Sequence, residues 1–358
     1  MTAITALLNV RYPVIQAPMA GVQDWELAAA VSVAGGLGSI PCAMLTPEGV
    51  QDAVLKARQH TSGPINLNFF SHRQPDTDPV IQQTWLERFR PYYDELGVEI
   101  PGAPAGPGRQ PFNQAMADVV SAVKPEVVSF HFGLPDQQLL QQVRDSGARV
   151  LSSATTVEEA LWLEQQGVDA IIAQGLEAGG HRGMFLSDDI TTQTGLLALL
   201  PQIVAAVSVP VIAAGGIADA RGVKAALLLG AAGVQVGTAY LLCHEAKTSA
   251  VHRAALQSDA ARHTALTNIF SGRPARGIVN RIIREQGPIA PDAPPFPLST
   301  AASASLRAQA ERLGKGDFTP LWAGQNTEGC KAVSAQALTH QLCSGITLDA
   351  HGHSHTAV

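Results

Sequence analysis

The sequence predicts an α/β fold, a (β/α)8 TIM barrel with a small C-terminal helical insertion domain over the barrel mouth. Three observations carry that expectation. Eight short apolar runs recur along the first two-thirds of the chain, each closed by Gly, Pro or a polar residue. Their continuous apolarity and β-branched content suit parallel strands buried on both faces. Helix-like stretches separate them, so strand and helix alternate over about 240 residues, as a barrel of this class requires. No run is followed promptly by a GxGxxG turn, which disfavours the runner-up, a doubly wound open sheet.

The first run, PVIQA (13–17), is followed by the helical WELAAAVSVAGG, and GLGSI (36–40) by TPEGVQDAVLKARQH. PINLNF (64–69) ends the third strand, and residues 71–112 lengthen the crossover after it with an aromatic, charged helix and a Pro/Gly-rich loop. QAMADVVSAVK leads to VVSFH (127–131), DQQLLQQVRDSG to ARVLSS (148–153), and TVEEALWLEQQG to DAIIAQ (169–174). TGLLALLPQIVAAV and PVIAAGG (210–216) come next, then DARGVKAALLLGA and GVQVG (233–237). Several of the helical stretches start on a capping Thr or Asp and stop at Gly. The expected division is a barrel over residues 1–240 with the insertion 71–112, and a helical substrate-side domain over 241–318. Residues 319–358 return to the barrel and end in the His-rich tail HGHSHTAV.

With 46% hydrophobic and 15% charged residues in 358, the chain has ample core material and no signature of disorder. A net charge of −6 gives no electrostatic footprint for nucleic acid or an anionic membrane surface. No apolar run reaches transmembrane length, and the N-terminus lacks the pattern of a secretory signal. Cys42, Cys243, Cys330 and Cys343 are scattered without CxxC spacing. They suit reduced thiols of a cytoplasmic protein and argue against a metal site.

In such a barrel the chemistry sits where strands end. The turns after the last two strands hold Gly215-Gly216 and Gly237-Thr238. Paired N–H-rich turns at those positions suit a phosphate. Asn68 and Gln174 are carboxamides ending the third and sixth strands; each can serve the edge of a planar ring or bond neighbouring loop backbone. The small segment QAPMAG (16–21) can run its backbone past a ring face. His181, in QGLEAGGHRG (174–183), either caps a turn or points at the reactive end of a ligand. A planar, phosphorylated cofactor across the mouth satisfies these features together.

The segments QAPMAGV, AGGLGSI, SFHFGLP, QGLEAGGHRG, VIAAGGIAD and QVGT resemble the nitronate monooxygenase family in order and spacing over roughly residues 10–240. SGRPARGIVN and LWAGQ extend the resemblance towards residue 325. The resemblance implies FMN, held by Asn68, Gln174, Gly179, Gly216 and the run Gln235, Val236, Gly237 and Thr238. Gly215 joins the phosphate turn, and Ala17 to Met19 pass beside the isoalloxazine. Gly179 and Gly180 make room for the flavin, His181 is the active-site base, and His131 lines the substrate pocket. The implied reaction is oxidation of alkyl nitronates, or of nitroalkanes, with O2 through a flavin semiquinone to a carbonyl compound and nitrite. The partners are then small molecules, and the protein a monomer or homodimer. Glu177 and Arg182 are expected to face solvent or pair locally. Arg273 and Arg276 meet an anionic substrate tail or lie on a surface loop, while Trp322 and Gln325 close the pocket. Two rivals stand beside this reading: an NAD(P)H-dependent flavin reductase acting on enoyl-acyl-carrier-protein or quinone substrates, and a non-catalytic FMN-binding protein.

Overall fold

The computed structural model describes residues 3–101, 109–348 and 354–356. At its centre are β1 (Val14–Gln16), β2 (Gly38–Pro41), β3 (Ile65–Phe70), β4 (Val127–His131), β5 (Arg149–Ala154), β6 (Ala170–Gln174), β7 (Val211–Ala214) and β8 (Gly233–Val236). All are parallel, in the order β1-β8-β7-β6-β5-β4-β3-β2. Leu37, just ahead of β2, closes the ring: its N–H donates to the Val14 carbonyl at 3.0 Å and its carbonyl accepts from Gln16 at 2.9 Å. Each apolar run of the sequence forms one of these strands, and helices cover the outside, so the barrel expectation holds.

The helix starts follow capping chemistry. Thr46, Thr156 and Asp219 accept from backbone N–H groups three residues on, satisfying donors that a helix leaves open. The bottom of the barrel is plugged by helix Ala3–Leu8, whose Ile4 and Leu8 pack with Ile15, Val127, Leu151 and Ile212. The top opens into a cavity lined by polar residues, glycines and a few apolar side chains, which is where a ligand can enter.

The lengthened crossover and the segment after β8 share an apolar cluster. Trp85, Phe89 and Tyr93 on helix Pro79–Leu96 pack with Ile282, Leu306 and Phe318. Tyr93 donates its hydroxyl to the Ala302 carbonyl at 2.7 Å. Residues 241–318 hold helices Ala250–Leu256, Arg281–Gln286 and Ala301–Arg312, as expected of a helical segment, but also two strands. Thr264–Thr267 and Ala275–Ile278 pair antiparallel, and the second pairs with Gly180–His181. SGRPARG, expected as a loop, thus becomes a strand from Ala275 on, created by its partners more than by its own short, polar sequence. Of the His-rich tail, residues 351–353 and 357–358 lie outside the described residues; the backbone of Ser354–Thr356 pairs with Ile346–Leu348. Among the described residues no helix is long and apolar enough to cross a membrane.

Candidate active site

A cavity opens at the C-terminal ends of the strands. Ala17 and Met19 line it after β1, with Asn68 of β3, His131 of β4 and Gln174 of β6. Gly179, Gly180 and His181 enter from the loop after β6. Gly215 and Gly216 after β7, with Gln235, Gly237 and Thr238 at the end of β8, complete the expected set. Val236 is the exception. Its side chain is buried in the main core, and its carbonyl accepts from Ala17 at 2.8 Å, so it sets the course of QAPMAG from behind.

At one part of this wall the amide groups of Gly216, Ile217 and Thr238 donate to no acceptor among the described residues. Gly237 stands at the N-terminus of the 3-10 turn Thr238–Leu242, which directs N–H groups outward there. Nearby, Gln235 keeps its Oε1 buried with no partner. Unpaired buried polar atoms are rare and point to a missing partner. The segment after Trp322 closes this end: Gly324 donates its N–H to Thr238 Oγ1 at 2.9 Å, and Asn326 Nδ2 donates to the Gly216 carbonyl at 3.0 Å.

The loop carrying His181 is fixed by its backbone. The His181 carbonyl accepts from Gln174 Nε2 at 3.0 Å and from His131 Nε2 at 3.1 Å. Because a carbonyl only accepts, His131 carries its proton on Nε2, and its Nδ1 takes the hydroxyl hydrogen of Ser153 at 3.0 Å. Gln174 also accepts the Gly183 N–H at 2.7 Å. Of the two alternatives held open for Gln174, the geometry shows the bonds to loop backbone, made by both ends of its carboxamide, and the residue also lines the cavity. Asn68 likewise lines the cavity while its Nδ2 donates to Ser129. Gly179 and Gly180 differ in purpose. A Cβ on Gly179 would lie 2.5 Å from the Gly324 nitrogen, so the crossing of Ala323–Gly324 itself requires this glycine. A Cβ on Gly180 would meet open space, and its φ of +73° is what calls for glycine.

The imidazole of His181 sits among rings. Phe296 and Trp322 have centroids 5.3 and 5.6 Å away, with Phe132 at 6.0 Å and Phe70 at 6.3 Å. Its Nε2 lies 2.8 Å from Ser271 Oγ. Burial among these groups, then the positive charge of Arg109, holds the His181 pKa well below the usual imidazole value. Burial also lowers His131 and His72 to about 4. The site thus presents neutral imidazoles at physiological pH.

Of the two placements expected for the flanking charges, solvent or a local partner, both Arg182 and Glu177 take the second. Arg182 does not face solvent: it is wholly buried, donating to Gln193 Oε1 and to the Gly175 and Gln174 carbonyls, each at 2.8 Å. Glu177 accepts the Leu196 N–H at 2.9 Å and caps that helix. Arg276 is buried in the small sheet, donating to the Leu176 carbonyl at 2.9 Å, so it is no surface-loop residue. Arg273 lies 4.2 Å over the Phe132 ring and donates to the Met184 carbonyl. Neither arginine lines the cavity. Trp322 does, whereas the exposed Gln325 contributes only its N–H, donated to the Glu177 carbonyl at 3.0 Å. Residues beyond the expected set also line it, notably Arg109, His252, Ser153 and Asn326. Gln16 and Gln23 carry a further support. Gln23 Oε1 accepts from Gln16 Nε2 at 2.6 Å and from the Met19 N–H at 3.0 Å, pinning QAPMAG. The repeated carboxamides near β1 were the available signal.

The family model for nitronate monooxygenase matches residues 1–345. A nitronate monooxygenase of Pseudomonas aeruginosa is 41% identical over 340 residues, 94% of this chain and 97% of that protein. One from Paraburkholderia phytofirmans is 39% identical over 343 residues, 95% of this chain and 93% of that one. Among solved structures, a nitroalkane oxidase from Streptomyces ansochromogenes is 37% identical with a TM-score of 0.87, covering 96% of this chain and 97% of that chain. FabK from Thermotoga maritima is more distant, at 25% identity and a TM-score of 0.69, with 96% and 94% covered. A barrel with this mouth, matched by one family model over nearly its whole length, places the chain in the nitronate monooxygenase family of oxidoreductases.

Proposed function

We propose that the cavity binds FMN beside an alkyl nitronate, whose oxidation with O2 yields a carbonyl compound and nitrite. The observation that carries this reading is a neutral, braced imidazole, His181, on the same cavity as amide groups that lack acceptors. The residues present fit FMN. The N–H groups of Gly216, Ile217 and Thr238 would take its phosphate, and the orphaned Gln235 Oε1 would accept from a ribityl or ring donor. The open space beside Gly180 and the small residues Ala17 and Pro18 leave room for a planar ring. Bound FMN would supply the electron acceptor through which electrons reach O2.

The remaining chemistry belongs to the chain. Ser271 directs its own hydroxyl at the Arg273 carbonyl at 3.4 Å, so its oxygen accepts from His181 Nε2–H. That tautomer leaves Nδ1 with the lone pair that takes the α-proton of a neutral nitroalkane. A nitronate has already lost that proton and needs only to be held. Phe70 and Trp322 wall the cavity around His181. Residues 241–318, with the helix of the 71–112 insertion, form the substrate-side unit of a cytoplasmic enzyme.

Two measurements on the purified protein test this. Denaturation should release FMN, and nitronates in air should give nitrite without any nicotinamide. A colourless protein that ignores added FMN would end the cofactor assignment. Rapid NADPH oxidation with no nitronate turnover would move the protein to the reductase reading.

A further inference from the structure

Among the described residues lining the cavity, Arg109 is the only charged side chain, and no Asp or Glu joins it there. It is half-buried, and no described carboxylate pairs with it. Its backbone is held to the end of β3 from both sides. His72 Nε2 donates to the Arg109 carbonyl at 3.2 Å, and Phe112 donates its N–H to the Phe70 carbonyl at 2.8 Å. Its charge is felt at His181 more than that of any other charged group. A cation taken partly out of water without a counter-ion is unfavourable unless something else supplies the negative charge. The cavity is therefore electrostatically incomplete, and the missing charge is an anion.

Accepting the nitronate reading above, we propose that Arg109 is the specificity-determining residue that pairs with the nitronate anion and selects it over its neutral conjugate acid. The two oxygens of a nitronate share one negative charge in a plane. A guanidinium fork matches that arrangement as it matches a carboxylate. Deprotonated substrate would gain a charge-assisted contact that the neutral nitroalkane cannot make, while His181 serves either form.

The test uses Arg109→Gln and Arg109→Lys in the FMN-loaded protein. Arg109→Gln should raise KM for an alkyl nitronate by about 10- to 100-fold, the range for losing a hydrogen bond to a charged group. The Ki of the matching neutral nitroalkane, measured as a competitor, should stay within about twofold of wild type. Arg109→Lys, which keeps the charge but not the fork, should fall between. Calorimetry with inorganic nitrate, an unreactive planar anion, should show a parallel loss of affinity in Arg109→Gln. Unchanged nitrate affinity, an equal loss for neutral and anionic ligands, or loss of FMN from a folded variant would each overturn the proposal. Failure of the wild type to turn over any nitronate would instead count against the proposed reaction, and nitrate binding would still report on Arg109.

Discussion

Replacing Gly179 by alanine puts one methyl group between two stretches of backbone. Its Cβ would sit 2.5 Å from the Gly324 nitrogen and 2.6 Å from the Ala323 carbonyl carbon. Ordinary contacts need about 3.5 Å, so the 323–324 segment must retreat by about 1 Å. Retreat breaks the Gly324-to-Thr238 and Gln325-to-Glu177 hydrogen bonds. Each is worth about 1 kcal/mol, and crowding of a packed crossing adds about 1–3 kcal/mol. The expected destabilisation is about 3–5 kcal/mol, which for a chain of this size lowers Tm by roughly 4–7 °C. Because the same segment clamps Thr238 and Gly216, FMN affinity should fall with it. Gly180→Ala is the control: its methyl group enters open space and meets only the strain of a positive φ, about 1–2 kcal/mol. Thermal melts of the two FMN-free variants decide the matter, and an FMN titration of Gly179→Ala checks the loss of affinity. A Gly179→Ala protein that melts with the wild type, or above Gly180→Ala, would refute the packing account of this glycine.

Two further outcomes are expected. His181→Asn should keep its FMN and largely lose turnover of neutral nitroalkanes, by about 10²–10⁴-fold, while nitronate turnover falls far less; steady-state rates on matched substrates would show it, and equal losses would assign the residue to binding or electrostatics. Acidification should destabilise the fold, because His72 and His252 are lowered by burial to about 4. An unfolded chain takes up those protons near ~6.5, so stability present at neutral pH is lost as pH falls from there towards 4, at about 2 kcal/mol for each histidine by pH 5. Urea unfolding at pH 7 and pH 5 measures the difference, and an identical free energy at the two would contradict it.

The strands of the barrel are legible because each is a continuous apolar run whose period needs no partner to be recognised. The small antiparallel sheet is not. Gly180–His181 becomes a strand only because Ala275 and Arg276, far along the chain, lie beside it. The same non-locality explains the arginines. The sequence leaves Arg182 between solvent and a local partner, and Arg276 between a substrate tail and a surface loop; carbonyls at the end of β6 and in the following turn collect their donors and bury them. Gly179 illustrates the limit from the other side. Its place in the motif marks it as important, but the atoms that require a glycine belong to residues 323–324, and no local pattern records that crossing. Arg109 stands after the Pro/Gly-rich loop, where composition suggests only connection, and its place on the cavity wall follows from the folded path.

The position of His181 is set by neighbours that hold its backbone, which bears on how any substitution there is read. Its carbonyl accepts from a side chain on β4 and another on β6, the next N–H donates to Pro274, and the one after donates to Gln174. None of these bonds uses the imidazole, so a change at 181 alters the chemistry presented to the cavity and leaves the loop where it is. A change at Gln174 or His131 does the reverse, freeing the carbonyl and moving an intact imidazole. Placement within a fraction of an ångström governs proton transfer and orientation. Loss of activity at those two positions with FMN and substrate still bound therefore reports on positioning, and at 181 on the imidazole itself.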